Sequence, residues 1–306
     1  MSTRIVTLTP NPALDIACTA DAVRPTIKIR TRDERYDPGG GGVNVSRVLH
    51  ALGADTIALM LAGDVTGKEI GELLDAEGVA WQAVEIAGRT RISYTVHVAD
   101  GGEFRFVPPG PEVQTVEWQT LLARLVEQEG DWIVASGSMP PGMPEDFYAQ
   151  ASDIAHRAGR KFALDASGPS LRQAVGHRVD LLKLSLDEMR FLTGHDLPDT
   201  AAIETELAIL VRRGAARAIA VSLGADGAIL ASARGLWRRP AVKVEVRSAV
   251  GAGDTFLAGM VLAMSRGDDE AEVLRFATAV AAVAVSRYGT AQIDAEAVRA
   301  MEAMLR

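Results

Sequence analysis

The stretch VGAGDTF, residues 250–256, leads directly into the apolar run 257–262, which is typical of a loop that turns into a helix. Gly251 and Gly253 permit backbone conformations that a Cβ would forbid, and they let another group approach the main chain closely. The N–H groups of a first helical turn favour an anion, most often a phosphate. Asp254 would repel that phosphate, so we expect it to handle a proton or a cation beside it. The alternative is an ordinary helix N-cap.

The length and composition are those of an enzyme-sized globular protein. The chain has 306 residues, of which 48% are hydrophobic and 24% charged, so it can bury a large core and disorder is not expected. Its net charge of -8 opposes non-specific binding to nucleic acid or to an anionic membrane. An anionic substrate therefore needs a local basic pocket.

The cysteine content and the apolar patterning point to a cytoplasmic protein. Cys18 is the single cysteine of this sequence, so an intrachain disulfide and a cysteine metal site are both excluded. Residues 1–8 lack a basic segment followed by a long apolar core, and no run of about 18 apolar residues occurs. We expect neither a signal peptide nor a membrane span.

Short β-branched runs alternate with helical patterns along most of the chain. We predict strands at residues 5–8, 56–61, 79–86, 132–135, 161–164, 181–184 and 218–222. We predict helices at residues 43–52, 68–77, 116–128, 144–157, from about 186, and at 201–213, 270–287 and 295–305. Repeated β-α units of this length predict an α/β fold with a parallel sheet and helices on both faces. No clear boundary divides the chain, so one domain over 1–306 is expected.

Two segments interrupt this alternation. Residues 27–31 alternate apolar and polar residues, and residues 92–98 do the same before Asp100-Gly101-Gly102 turns the chain into 103–107. These patterns predict strands with one polar face and one apolar face. We expect a small discontinuous β-sheet, formed by about 12–36 and 89–108, that covers the main domain as a lid. Its open edge and apolar face predict a homodimer in which two lids pack together.

Small polar residues follow several predicted strands. They occur at Ser136–Gly142, at Asp165–Gly168 and at Ser222–Gly224. Ligands of parallel α/β sheets bind at the carboxyl ends of the strands, and this composition suits a phosphorylated ligand. Each segment by itself could also be an ordinary turn.

These motifs together resemble the ribokinase-like carbohydrate kinases, also called the phosphofructokinase B family. The resemblance covers nearly the whole chain and is carried by TPNPALD at 9–15, PGGGGVNV at 38–45, RTR at 89–91, SGSMPPG at 136–142 and VGAGDTF at 250–256. It implies a three-layer αβα sandwich with a mostly parallel sheet and a small β lid. The quadruple glycine and EFRFVPPG at 103–110 look most like the minor bacterial 6-phosphofructokinases, since relatives acting on fructose 1-phosphate usually have lysine where Gly41 stands.

The resemblance implies ATP-dependent phosphorylation of a ketohexose phosphate, with fructose 6-phosphate as the expected substrate. Asp254 would be the general base, and the N–H groups of Gly251, Ala252 and Gly253 would form the anion hole for the phosphoryl group. Phosphorylation of fructose 1-phosphate or tagatose 6-phosphate is the alternative activity. A sugar-phosphate-binding regulator with little turnover is the alternative of another class.

The resemblance also implies a set of residues that bind the sugar phosphate. They are Asp15 and Asn44 for the hydroxyls, Gly40 and Gly41 against the ligand, and Lys28, Arg91 and Ser138 near the phosphate, with Arg105 as a weaker candidate. Lysine and arginine would neutralise the phosphate charge. The alternative for Lys28 and Arg91 is that both are solvated strand residues.

On the nucleotide side, Lys183 and Glu188 fall where the family has an Asn-x-x-Glu motif that organises Mg²⁺ and phosphates, and Ser185 stands in place of the asparagine. Ser222 and Gly224 resemble the nucleotide-binding loop. Asp165 would contact metal-bound water. Glu188 could instead be only an acidic residue of a first helical turn.

The family further implies a monovalent cation, such as K⁺, near the C-terminus. The corresponding residues are Ser248, Val250, Ala284 and Gly289, but an asparagine expected near Arg287 is absent. The five histidines show no metal-ligand spacing. His97, on the polar face of the expected lid, could meet the substrate.

Overall fold

The computed structural model describes residues 3–98 and 101–305. The strands are β1 (Arg4–Thr9), β2 (Ala13–Ala20), β3 (Thr31–Gly39), β4 (Asp55–Ala62), β5 (Trp81–Glu85), β6 (Arg91–Val98), β7 (Glu103–Phe106), β8 (Trp132–Ser136), β9 (Lys161–Asp165), β10 (Leu181–Ser185), β11 (Ala218–Ser222), β12 (Ala228–Ser232) and β13 (Gly235–Arg239).

The helices connect these strands and close the chain. They are α1 (Gly41–Ala51), α2 (Asp64–Glu77), α3 (Thr115–Glu127), α4 (Phe147–Arg157), α5 (Gly168–Ala174), α6 (Leu186–Thr193), α7 (Thr200–Arg212), α8 (Ala252–Arg266), α9 (Glu270–Val285) and α10 (Ala295–Met304). Within the described parts of the chain, none of these helices has both the length and the apolar character that crossing a membrane requires.

A nine-stranded sheet forms the centre of the molecule, in the order β13-β12-β11-β10-β9-β8-β1-β4-β5. The strands from β11 to β5 are parallel, and the edge hairpin of β12 and β13 is paired antiparallel, so that β12 runs opposite to the other strands. Helices α3–α7 bury one face of this sheet, and α1, α8, α9 and α10 bury the other. Because both faces are covered, central strands such as β8 are buried throughout. The predicted three-layer αβα sandwich with a mostly parallel sheet is confirmed.

The second sheet has four strands in the order β3-β2-β6-β7. Its neighbouring strands place Leu14 beside Ile92 and Ile16 beside Tyr94, so these apolar residues share one face. The inner part of that face packs on helix α2 through Ile70. The alternate residues, which include Asp15, form the polar face. The alternation of residues 92–98 therefore predicted this sheet correctly.

The strand predicted at residues 27–31 is wrong. The chain reaches the small sheet through β2 and β3, and residues 21–30 between them form an exposed loop. Ile27 and Ile29 are 57% and 37% exposed, so their alternation reflects no buried face. Asp100 of the predicted turn lies outside the described residues.

Several elements were not predicted. The lid was expected over about 12–36, but strand β2 and nearly all of β3 were not predicted as strands. Helix α5 follows β9, and strand β13 pairs with β12 at the edge of the large sheet. Other boundaries differ by a few residues: β5 is shorter than the predicted strand 79–86, and α2 begins before the predicted Lys68.

The glycine run 39–42 carries the chain from the small sheet into helix α1. Gly40 has a φ of 106°, which favours glycine. A Cβ on Gly41 would collide with the Ser136 hydroxyl, and one on Gly42 would collide with the Thr9 hydroxyl. The run therefore lets α1 begin directly against the ends of β1 and β8.

Candidate active site

The polar strand ends predicted from the sequence meet at one edge of the large sheet. Ser136 at the end of β8 lies in register with Asp165 at the end of β9. Ser185 at the end of β10 lies in register with Ser222 at the end of β11. The carboxyl ends of adjacent parallel strands thus form one continuous polar edge.

Asp254 lies in the first turn of α8, above this edge. The Asn44 amide donates a hydrogen bond to its Oδ2 at 2.9 Å, and the Ser136 hydroxyl donates to its Oδ1 at 3.0 Å. The N-cap of α8 is Gly251, in the left-handed conformation with a φ of 74°, and no side chain caps this end. Asp254 is therefore not the N-cap, and its carboxylate is held by residues from α1 and β8.

The pKa of Asp254 is raised to about 7. Burial is the main cause, and the nearby charge of Asp165 adds to it. The hydrogen bonds from Asn44 and Ser136 and the charge of Lys183 oppose the shift. A carboxylate with such a pKa exchanges its proton near neutral pH.

Lys183 is a buried cation beside the same helical turn. Its Nζ lies 2.8 Å from Asp165 Oδ2, and a Cβ on Gly253 would lie 2.7 Å from that Nζ. Although burial lowers the pKa of Lys183, the charges of Asp165, Glu188 and Asp254 outweigh it and raise the pKa above its ordinary value. Lys183 therefore stays protonated next to the N–H groups that start α8, so a positive charge and a positive helix end lie side by side.

Asp15 forms the second carboxylate centre, on the polar face of the small sheet. Burial raises its pKa to about 6, and the charge of Asp37 on β3 contributes to the rise. A hydrogen bond with the Thr290 side chain and the charge of Arg105 oppose it. The structure thus brings Arg105, the weaker candidate, within electrostatic reach of Asp15.

Arg91 and Ser138 meet around Asn11, which follows β1. Arg91 donates to the main-chain oxygens of Pro108 and Asn11, both at 2.9 Å. The Asn11 amide donates to Ser138 Oγ at 3.2 Å. Arg91 is thus partly buried and bonded rather than solvated. Asn11 had no role in the sequence analysis, although it belongs to the TPNPALD run.

Several polar atoms in this region have no hydrogen-bond partner among the described residues. They are buried, and they include Arg91 Nε, Asn44 Oδ1 and Asn11 Oδ1. Buried polar groups are nearly always satisfied, so these three atoms can still bond to a water or a ligand. A ligand rich in hydroxyl and phosphate oxygens has both the donors and the acceptors needed.

Lys28 is not brought into this cluster. It lies on the exposed loop between β2 and β3. No hydrogen bond or ion pair within residues 3–98 and 101–305 joins it to Asp15 or Arg91. His97, which lies on the polar face of the small sheet, has its Nδ1 3.6 Å from Glu103 Oε2.

Ser185 and Glu188 form a capping box at the start of α6. The Ser185 hydroxyl accepts from the Glu188 N–H at 3.2 Å, and Glu188 Oε2 accepts from the Ser185 N–H at 2.6 Å. Glu188 therefore has the structural role considered above as the alternative to Mg²⁺ binding, since it is an acidic residue of the first turn that caps α6. Its charge also acts on Lys183. Ser222 donates to the Leu184 carbonyl at 3.4 Å, and Gly224 begins the turn after β11 with a φ of 59°.

The residues predicted for a monovalent cation lie on two segments that meet at the end of α9. The N–H groups of Arg247 and Ser248 donate to the Val285 carbonyl at 2.8 and 3.3 Å. The Ser248 hydroxyl accepts from the Val250 N–H at 3.2 Å, and the Ala284 carbonyl accepts from the Arg287 N–H at 3.1 Å.

Gly289, on the second of these segments, has a φ of 107°, and the Arg35 guanidinium lies against it. The described residues contain no group of three or more His, Cys, Asp or Glu side chains that could hold a metal ion.

Besides Asn11, Ser136 and Thr290 contact predicted site residues and were not assigned roles from the sequence. Ser136 was noted only as part of a loop, and Thr290 was not noted at all. The position of Ser136 at a strand end was the available signal. For Thr290 no local signal exists, because its contact with Asp15 joins distant parts of the chain.

Comparison with known proteins identifies the family. Residues 9–297 match the pfkB family carbohydrate kinases. An ATP-dependent 6-phosphofructokinase isozyme 2 of Mycobacterium tuberculosis is 40% identical over 294 residues, covering 94% of this chain and 86% of the relative. A 1-phosphofructokinase of Haloferax volcanii is 32% identical over 293 residues, covering 95% of this chain and 94% of the relative.

Solved structures agree with this assignment. Phosphofructokinase-2 of Escherichia coli in complex with potassium has a TM-score of 0.94 at 31% identity, with 99% of both chains covered. Structures of the same protein include a complex with fructose-6-phosphate and a tetrameric inhibited form, each with a TM-score of 0.93. The chain belongs to the pfkB family of carbohydrate kinases and is a sugar-phosphate kinase with the ribokinase-like fold.

Proposed function

We propose that this kinase transfers the γ-phosphoryl group of ATP to the C1 hydroxyl of fructose 6-phosphate, with Asp254 as the general base. One observation carries the proposal. The carboxylate of Asp254 has a pKa of about 7 and lies in the first turn of α8. No side chain caps this turn, and its N–H groups together with Lys183 favour an anion, although the Ala252 N–H also donates to the Ala249 carbonyl at 3.3 Å. The proposed proton acceptor, Asp254, and the proposed phosphoryl-binding N–H groups therefore lie in the same helical turn.

The roles of the two groups are complementary. Asp254 accepts the proton of the attacking hydroxyl, and the Asn44 and Ser136 hydrogen bonds keep its carboxylate oriented. The N–H groups of Gly251, Ala252 and Gly253 receive the charge on the equatorial oxygens of the phosphoryl group. Phosphoryl transfer relies mainly on positioning and charge stabilisation, which is what this arrangement supplies.

The sugar phosphate is held by the polar face of the small sheet, which acts as a lid. Asp15 and Asn44 bind hydroxyls, and Arg91 and Ser138 bind the phosphate, with Arg105 beside them. Lys28, on the exposed loop between β2 and β3, is the remaining proposed phosphate contact. Gly41 supports the choice of fructose 6-phosphate, since the neighbouring Ser136 leaves no room for the lysine typical of relatives that act on fructose 1-phosphate.

The nucleotide lies along the ends of β10 and β11, between Lys183, Ser185, Ser222 and Gly224. The carboxylates of Asp165 and Glu188 are the hard oxygen donors that Mg²⁺ prefers, and both act on Lys183. When bound with ATP, Mg²⁺ neutralises part of the phosphate charge. Asp165 already bonds to Lys183, and Glu188 already bonds to the Ser185 N–H. The two carboxylates would therefore hold the water ligands of Mg²⁺ rather than bind the ion directly. Ser248, Val250, Ala284 and Gly289 would hold a monovalent cation through main-chain and hydroxyl oxygens.

An ADP-release assay tests the substrate. Fructose 6-phosphate, fructose 1-phosphate, tagatose 6-phosphate and unphosphorylated fructose are compared at equal concentration, and we expect the highest kcat/KM with fructose 6-phosphate. A higher kcat/KM with fructose 1-phosphate or tagatose 6-phosphate would make that sugar phosphate the substrate, and the proposed phosphoryl transfer with Asp254 as base would still stand. Binding of a sugar phosphate without any turnover would favour the regulator instead.

Replacing Asp254 by asparagine tests the base. Loss of a general base costs about 10²–10⁴-fold in rate, so we expect Asp254→Asn to lower kcat by about 10³-fold while the KM for the sugar phosphate changes little. Because the base must be ionised, the wild-type kcat should rise with pH through about 7 and then level off. Ser136→Ala, which keeps the base but removes one of its hydrogen bonds, is the matched control with a smaller loss. A loss below about tenfold for Asp254→Asn would remove it as the base.

Ser185→Asn tests the nucleotide side. Asparagine caps a helix as well as serine does, so α6 should remain intact. Its amide adds a donor toward the phosphates, and one hydrogen bond of about 1 kcal/mol corresponds to a fivefold lower KM for ATP. Ser185→Ala, which loses the cap, is the control for effects on folding. Unchanged KM and kcat in Ser185→Asn would show that the serine is neutral.

We also propose a homodimer through the small sheet. The outer part of its apolar face exposes Tyr36, Phe104 and Phe106, by 41%, 43% and 57%. Strand pairing places Tyr36 beside Ile16, Ile16 beside Tyr94, and Tyr94 beside Phe106. The apolar face is therefore continuous across all four strands. Exposed contiguous apolar surface is typical of an interaction site, and a second copy of the same sheet is self-complementary to it.

Light scattering at micromolar concentration tests the dimer. Wild type should have the mass of two chains, and Phe106→Asp should have the mass of one because it places a charge in the apolar contact. Val116→Asp, at a 63% exposed apolar position on α3, is the matched control and should remain dimeric. A monomeric wild type would refute the proposal.

A further inference from the structure

Arg47 is a buried arginine that joins four separate segments. It lies on α1, three residues after Asn44, and is 4% exposed. Its Nε and Nη2 donate to the two carboxylate oxygens of Glu77, at the end of α2, at 2.7 and 2.6 Å. Its Nη1 donates to the carbonyls of Pro38 and Thr290, both at 3.0 Å. One guanidinium thus fixes α1, α2, strand β3 and the loop 288–291 together.

The two carbonyls belong to segments that contact Asp15. Pro38 precedes Gly39, where a Cβ would collide with the Asp15 carboxylate. The Thr290 N–H donates to Asp37, the strand neighbour of Asp15, at 3.5 Å, and hydrogen bonding by the Thr290 side chain opposes the rise that burial causes in the pKa of Asp15. Arg47 therefore sets the position of two neighbours of a carboxylate on the sugar side of the site.

The same loop supports the start of α8. A Cβ on Gly251 would lie 3.1 Å from the Ala291 main-chain nitrogen, so the loop packs directly on the N-cap residue of that helix. Ala291 has a φ of 53°, a left-handed conformation that is costly outside glycine. Such a conformation persists only when its surroundings hold it, and the Arg47 contact to Thr290 is one such restraint.

We infer that Arg47 is a positioning residue for the phosphoryl transfer proposed above. It holds loop 288–291 against Asp15 on one side and against the N-cap of α8 on the other. The carboxylate of Asp15, which is proposed to bind the sugar, and the N–H groups at the start of α8 thereby keep a fixed relative position. Arg47 touches neither reacting group. It acts through Pro38 and Thr290. Its charge, 3.7 Å from Asp37, also opposes the rise that burial causes in the pKa of Asp15. Arg47→Lys keeps that charge and so isolates the positioning effect.

The geometry explains why an arginine occupies this position. Its planar fork presents donors in several fixed directions, so it can bind a carboxylate with two nitrogens and still reach two carbonyls with a third. A lysine ammonium is a single point and can meet Glu77 or the carbonyls, but not all of them. Arg47→Lys should therefore keep the buried charge paired and release the loop.

The test compares Arg47→Lys and Arg47→Met with wild type, using the sugar phosphate that wild type phosphorylates fastest. Misplacement of about 1 Å in an active site can cost about 10²-fold in rate, so we expect kcat to fall by about 10–100-fold in both variants. Because the anion hole acts mainly on the transition state, the affinity for a non-hydrolysable ATP analogue should change less than about threefold.

Hydrogen exchange of the main chain gives a second readout that needs no turnover. Residues 288–292 and 251–254 should exchange faster in Arg47→Lys, since local opening follows the loss of contacts that hold a segment. If wild type phosphorylates none of the sugars, the proposed function fails, while this exchange pattern still decides the role of Arg47. Arg47→Lys serves as the deciding variant if Arg47→Met does not fold.

Arg275 offers a matched control. It is also a buried arginine, 5% exposed, and it bonds to Glu272 and Glu302 between α9 and α10. Arg275→Lys should lower the thermal midpoint to a similar extent and leave kcat and the exchange of 288–292 unchanged. A kcat within about twofold of wild type in folded Arg47→Lys, or an equal kcat loss in Arg275→Lys, would overturn the inference.

Discussion

The carboxylate of Asp254 is held between the Asn44 amide and the Ser136 hydroxyl, at the point where α8 begins. This contact joins the first helix of the chain, a central strand and the C-terminal helical layer. The glycines at 41 and 42 are needed for it, because α1 must start against the ends of β8 and β1 before Asn44 can reach Asp254. The close packing of backbone around one carboxylate also buries it, and burial is what raises its pKa to about 7.

Charge in the site is distributed over two centres. Lys183 and Asp165 form a buried pair beside the start of α8, whereas Asp15 and Asp37 form a carboxylate pair on the small sheet. Two acids in close proximity cost stability unless cations and hydrogen bonds compensate. Arg35 donates a hydrogen bond to Asp37 at 3.1 Å, and the buried charge of Arg47 lies 3.7 Å from the same carboxylate. The loop that carries Thr290 contacts Asp37 through the Thr290 N–H at 3.5 Å and packs against Gly251 at the start of α8.

Local pattern predicted most of the fold and part of the site. The alternation of residues 92–98 predicted a strand with one apolar face because side chains alternate across a sheet whatever it packs on. The same rule failed at 27–31, where Ile27 and Ile29 alternate but have nothing to pack against. The glycine pair 251 and 253 predicted a loop before a helix, but local sequence could not tell whether Asp254 caps that helix. Its partners, 210 and 118 residues away, exclude the cap.

The sequence by itself determined most of the alternation of strands and helices, the polar residues at the strand ends and the glycine-flanked start of α8. These features depend on residues close together in the chain, so periodicity and turn chemistry specify them. Only the tertiary structure decided which of those residues meet: Asn44 with Asp254, Asn11 with Ser138, and Arg47 with Thr290, 243 residues apart. The physical reason is that hydrogen bonds across layers and their burial arise from packing, which no local pattern encodes.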